Sequence, residues 1–138
     1  MRVAYIAQSP YHSKPDIEHI KEITKSGVNI YSSFAEAREL FSKRYDAIIL
    51  YPSGIGAGNL EGTFQHDDYP ESIGKKILTD IIRSQISTNL RTPTAVILVD
   101  SKYPGHKPED YMQAGADMTW SATEGPEKIG EFLKRLMR

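Results

Sequence analysis

Cysteine is absent from this chain of 138 residues. That removes disulfides, thiolate nucleophiles and cysteine-held zinc together. An excess of charge of either sign is absent as well: 17 Lys and Arg against 18 Asp and Glu leave a net charge of -1. No bulk electrostatic pull toward nucleic acid or an anionic membrane follows from that balance, so neither is expected as a partner. No segment approaches the roughly 20 apolar residues a membrane-spanning helix needs. The opening stretch Met1 to Ala7 is too short for a secretory leader, and Gln8-Ser9-Pro10 interrupts it. A cytoplasmic location is therefore expected. Residues 1–138 show no repeat, linker or low-complexity tract, and the length suits one domain with a real core.

What the chain does have is a series of short, unbroken apolar runs. The clearest is Ala47 to Tyr51, β-branched in its middle and stopped by Pro52 and Gly54. A run of this kind without polar alternation suits a strand buried on both faces, as in a parallel sheet covered by helices. Val3 to Ala7, Val28 to Ser32, Thr94 to Val99 and the brief Met118 to Trp120 read as four further strands.

Helical patterns alternate with these runs. Pro15 falls in the first turn of one, Ile17, Ile20 and Ile23 form its stripe, and Gly27 reads as its stop. Ser33-Phe34-Ala35-Glu36 has the spacing of a capping box that opens a second helix burying Ala37, Leu40 and Phe41. Ile73, Ile77, Leu78, Ile81, Ile82 and Ile86 define a third, of about four turns. Pro108 opens a fourth that Gly115 ends, and Ile129, Phe132, Leu133 and Leu136 mark a last amphipathic helix.

Between the third strand and the third helix lies a loop at about 54–70 with no periodicity. It carries Gly54, Gly56, Gly58 and Gly62 with Asn59, Glu61, His66, Asp67 and Asp68. A loop longer than roughly 12 residues inside a compact domain is uncommon.

Strands alternating with helices predict a doubly wound, flavodoxin-like α/β fold with a five-stranded parallel sheet in the order 2-1-3-4-5. In such a sheet ligands gather beyond the carboxyl ends of the strands, where strands one and three diverge. That brings Gln8, Ser9, Tyr51, Ser53, Asp100 and Ser101 to one rim.

With these elements in place, the chain resembles the receiver domains of bacterial response regulators. Asp46-Ala47-Ile48-Ile49-Leu50-Tyr51-Pro52-Ser53-Gly54 is similar to their third strand and the following turn. Ala114-Gly115-Ala116-Asp117 is similar to the tetrad that leads into their fifth strand. A working receiver holds magnesium with a pair of acids at the end of strand one, where this chain has about Ala7 and Gln8. It accepts phosphate on an Asp at the end of strand three, where this chain has Tyr51, and it carries a Lys after strand five, matched at about Ala122. The hydroxyl expected after strand four falls on Ser101, with Asp100 equally close. Magnesium gains most from carboxylate ligands, and a tyrosine hydroxyl with pKa about 10 is no substitute. The resemblance therefore implies a pseudo-receiver with a degenerate pocket of Gln8, Tyr51, Ser53, Asp100 and Ser101, holding no metal and no cofactor.

The reading that follows is a stand-alone, non-enzymatic signalling module that works through a protein partner or self-association. The resemblance places the contact face on the fourth helix, fifth strand and fifth helix, with Tyr111, Trp120, Phe132 and Arg135 as interface candidates and Met112 beside them. The alternative is a small α/β protein or enzyme that binds a nucleotide or phosphometabolite with Gly54-Ile55-Gly56-Ala57-Gly58, Ser9, Ser53, Asp100 and Lys102. No Gly-Lys-Ser/Thr ending or Gly-x-Gly-x-x-Gly spacing supports that alternative, and no nucleophile elbow is present. His66-Asp67-Asp68 has ligand-type side chains but reads more simply as a solvated loop tip. His12, His19 and His106 read as exposed single residues.

Overall fold

The computed structural model describes residues 1–7, 14–41, 43–52, 74–83, 92–98 and 107–137. Val3–Ile6 forms β1, and α1 (Lys14–Thr24) leads back to β2 (Val28–Tyr31). A short α2 (Phe34–Ala37) tightens into a 3-10 turn over Arg38–Phe41 before β3 (Ala47–Leu50). Residues 74–76 enter α3 (Ile77–Ile82), a wide π turn in which the Arg83 N–H bonds Leu78 O, five residues back, at 2.9 Å. Then come β4 (Thr94–Leu98), α4 (Pro108–Ala114), β5 (Met118–Ser121), a 3-10 turn over Ala122–Glu124, and α5 (Glu127–Leu136).

All strands are parallel, in the predicted order β2-β1-β3-β4-β5. β3 lies at the centre of the sheet, and its four residues are all buried, as an apolar run without alternation requires. Its odd-numbered side chains, Ala47 and Ile49, share one face with Tyr5, Ile97 and Trp120 beneath α1 and α5. Ile48 and Leu50 share the other with Ile6, Val96 and Tyr111 beneath α2, α3 and α4. Among the described residues no helix is long and apolar enough to cross a membrane.

Several local expectations are corrected. Helix α1 stops at Thr24 because Lys25 turns left-handed at φ 58, two residues before the expected Gly27. His19 is not a free surface residue. Its ring lies against Gly130 of α5, where an added Cβ would stand 2.7 Å from Nε2. The Ser33 cap forms only in part: Ser33 Oγ accepts from the Glu36 N–H at 3.2 Å, while Glu36 Oε2 accepts from the N–H and hydroxyl of Ser32 instead. Those two bonds lower the Glu36 pKa.

Candidate functional site

The sheet's exit edge is built outward from β1 and β3. β3 pairing continues one residue past its end, since the Tyr51 N–H donates to Ile6 O at 2.9 Å. Alternation along the strand then sends the Tyr51 side chain to the α1 and α5 face, where it packs half-buried against the core. Pro52 is buried behind it and seats Gly74: a Cβ on Gly74 would stand 2.5 Å from Pro52 Cβ. The chain thus leaves β3 and re-enters the helical layer at one point of contact.

Two residues of this edge were not singled out from the sequence. Tyr5, fully buried on β1, donates its hydroxyl to Asp16 Oδ2 at 2.7 Å. Asp16 sits in the first turn of α1, so this bond fastens the start of the helix to the strand before it. Burial pushes the Asp16 carboxyl above its ordinary value, against the Tyr5 hydrogen bond and nearby His19, which lower it. Burial and then the Asp16 charge raise the Tyr51 hydroxyl. Tyr51 therefore stays protonated at neutral pH and presents a phenol at the end of β3. A signal was available: a tyrosine inside a buried strand needs a hydroxyl partner.

Among the described residues Asp16 is the carboxylate tied to this edge, and no group of three or more His, Asp and Glu is placed to hold a metal. Gln8, Ser53, Asp100 and Ser101 of the expected pocket lie outside the described residues. So do Ser9, Lys102, the glycine stretch and the loop at 54–70 with His66, Asp67 and Asp68.

Beyond β5 the chain turns on itself. The Ser121 N–H donates to Glu124 Oε2 at 2.8 Å, and the Thr123 N–H reaches Ser121 Oγ at 3.3 Å. Ala122 lies inside this turn with no polar side chain to offer.

The expected contact face changes character. Tyr111, Trp120 and Phe132 are 0%, 5% and 4% exposed, so they are core residues and not surface anchors. Trp120 and Phe132 pack on each other with ring centroids 6.2 Å apart, and Tyr111 closes the opposite core. The physical reason is alternation and helical spacing. Trp120 points inward from β5, and Phe132 lies on the same stripe of α5 as Ile129 and Leu133. Arg135 remains exposed, as does Met112.

The Ala114-Gly115-Ala116-Asp117 stretch is structural. Gly115 adopts φ 116 to end α4, a conformation that favours glycine. Asp117 accepts from the Thr94 N–H at 2.8 Å and from Arg83 Nη2 at 3.0 Å, joining β4, β5 and the end of α3.

No protein-family model and no curated protein sequence matches this chain. Solved structures do. A two-component response regulator from Clostridium difficile superposes with a TM-score of 0.72 at 14% identity, over 100% of this chain and 96% of the other. A chemotaxis protein, CheY4, from Vibrio cholerae gives 0.67 at 16% identity, over 98% and 97%. The receiver domain of a sensor histidine kinase from Pseudomonas aeruginosa, with magnesium in its active site cleft, gives 0.64 at 16%, over 98% and 95%. Across nearly its whole length, the chain has the fold of response regulator receiver domains.

Proposed function

We propose that this chain is a receiver-like signalling module that does not accept phosphate and acts through contacts with other proteins. The observation that carries the reading is Tyr51. It occupies the end of β3 with a half-buried, protonated hydroxyl, and among the described residues the carboxylate beside it, Asp16, is already engaged by Tyr5. Among the described residues this edge offers no paired carboxylates to hold a divalent cation and draw a phosphoryl donor against its own repulsion. The Ser121 to Glu124 turn supports the same reading, since it sets a hydrogen-bonded cap where a lysine would meet the phosphoryl group. With no reaction to run, the module's remaining asset is its surface.

The test is incubation of the intact protein with acetyl phosphate and magnesium, followed by mass measurement and hydroxylamine treatment. The expected result is an unchanged mass. A gain of one phosphoryl group that hydroxylamine removes would mark an acyl phosphate and overturn the reading.

A further inference from the structure

The sheet has two open edges, β2 and β5. On β2 the ladder with β1 decides which peptide groups face outward. Ile6 pairs with Tyr31 and Ala4 with Asn29, and the Ala7 N–H reaches Tyr31 O at 2.9 Å. In a parallel ladder this turns the N–H and C=O of Asn29 and Tyr31 toward β1, and those of Val28 and Ile30 away from it. No described residue bonds those four outward groups.

Sheet edges in stable monomers are commonly guarded by charge, proline or bulges. β2 has none of these. Residues 26–35 contain no charged residue and no proline, and Ile30 is 39% exposed, one of three large exposed hydrophobics among the described residues. The β5 edge is bounded differently, by Asp117 before the strand and by Glu124, which binds the Ser121 N–H at its end.

We propose that β2 is a self-association edge, pairing antiparallel with β2 of a second copy so that one sheet runs through both. The occupant is a second copy because the available groups are self-complementary. A two-fold axis through Asn29 sets Val28 against Ile30 of the second copy, and Ile30 against its Val28. All four outward groups of each strand are then bonded reciprocally. Pairing stops there because the Ser32 N–H is already held by Glu36 Oε2 at 2.7 Å.

The same axis packs each exposed Ile30 beside a Val28 on the α1 face. The Asn29 side chain stays on the other face, held by the Tyr45 hydroxyl at 2.6 Å. With a short strand on each side, the contact is small and its association is concentration-dependent. This inference goes beyond the phosphate-free reading and stands or falls separately from it.

The experiment is sedimentation of the full chain from micromolar to millimolar concentration. The mass should rise from 15.5 kDa toward about twice that. Ile30→Lys should hold it at the monomer value with an unchanged circular dichroism spectrum. Because the chain has no cysteine, Asn29→Cys introduces a single reporter at the two-fold axis. Facing Cα atoms of a non-hydrogen-bonded pair stand about 4.5 Å apart, within disulfide reach. Asn29→Cys should cross-link on mild oxidation and Met112→Cys should not. A mass fixed at the monomer value throughout would overturn the proposal. So would undiminished association of Ile30→Lys, or cross-linking of Met112→Cys as ready as that of Asn29→Cys.

Discussion

Replacing Gly115 by alanine tests whether the end of α4 is held as the structure indicates. Two separate costs meet there. The backbone sits at φ 116, where an alanine Cβ is strained by about 1–2 kcal/mol. The same Cβ would stand 2.7 Å from Arg83 Nε and 3.0 Å from its Cγ and Cδ. Arg83 cannot swing away cheaply, because its side chain is only 11% exposed and its guanidinium bonds Asp117 at 3.0 Å and Thr92 O at 3.3 Å. Losing a buried bond to a charged group adds about 1.5–3 kcal/mol. The summed loss is about 3 kcal/mol, or a fall in Tm of about 10 °C for a chain of this size. Urea unfolding followed by Trp120 fluorescence measures it. A double-mutant cycle separates the two costs: on an Arg83→Ala background, Gly115→Ala should cost only the backbone share, about 1–2 kcal/mol. A loss below about 0.5 kcal/mol for Gly115→Ala alone, or strict additivity in the cycle, would refute the reasoning.

Three further outcomes are expected. Lys25→Gly should stabilise the protein by about 0.5–1 kcal/mol in urea, since it relieves the left-handed backbone at φ 58 at the end of α1. Tyr5→Phe should cost about 1–2 kcal/mol by removing the hydrogen bond to Asp16, and an NMR titration should show the Asp16 pKa rising further. Asp16→Asn keeps an acceptor for Tyr5 but removes a charge that folding disfavours. The folded pKa lies above 3.8, so the native Asp contributes best below that value and loses ground as pH rises through the window above it. The variant should therefore be more stable than the parent at neutral pH, with the difference vanishing below pH 3.8 in paired urea titrations.

The fold was legible because β3 and β4 are unbroken apolar runs, and only a sheet covered on both sides buries them whole. The strand limits fell within about a residue for the same reason. Other features depended on contacts that run across the chain. Gly27 looked like the stop of α1, yet the turn is made at Lys25, where nothing in the residue type announces it. Asp16 was not singled out, since only the folded chain brings the Tyr5 hydroxyl to it from eleven positions away. Tyr111, Trp120 and Phe132 were expected on a contact face. The short α4 and β5 offered too little periodicity to place Tyr111 and Trp120, and all three join the core with Leu78, Ile97 and Leu133. Of the pocket residues drawn from the sequence, Tyr51 is described, at the edge where it was expected.

The most direct check on the central claim is an amide NMR titration of the protein with magnesium, then with magnesium and a beryllofluoride phosphoryl mimic. Resonances of Tyr51, Asp16 and β5 should stay in place, apart from small changes linear in added salt. Saturable shifts centred on Tyr51 and spreading to Ser121 would show a working phosphoryl site and contradict the account.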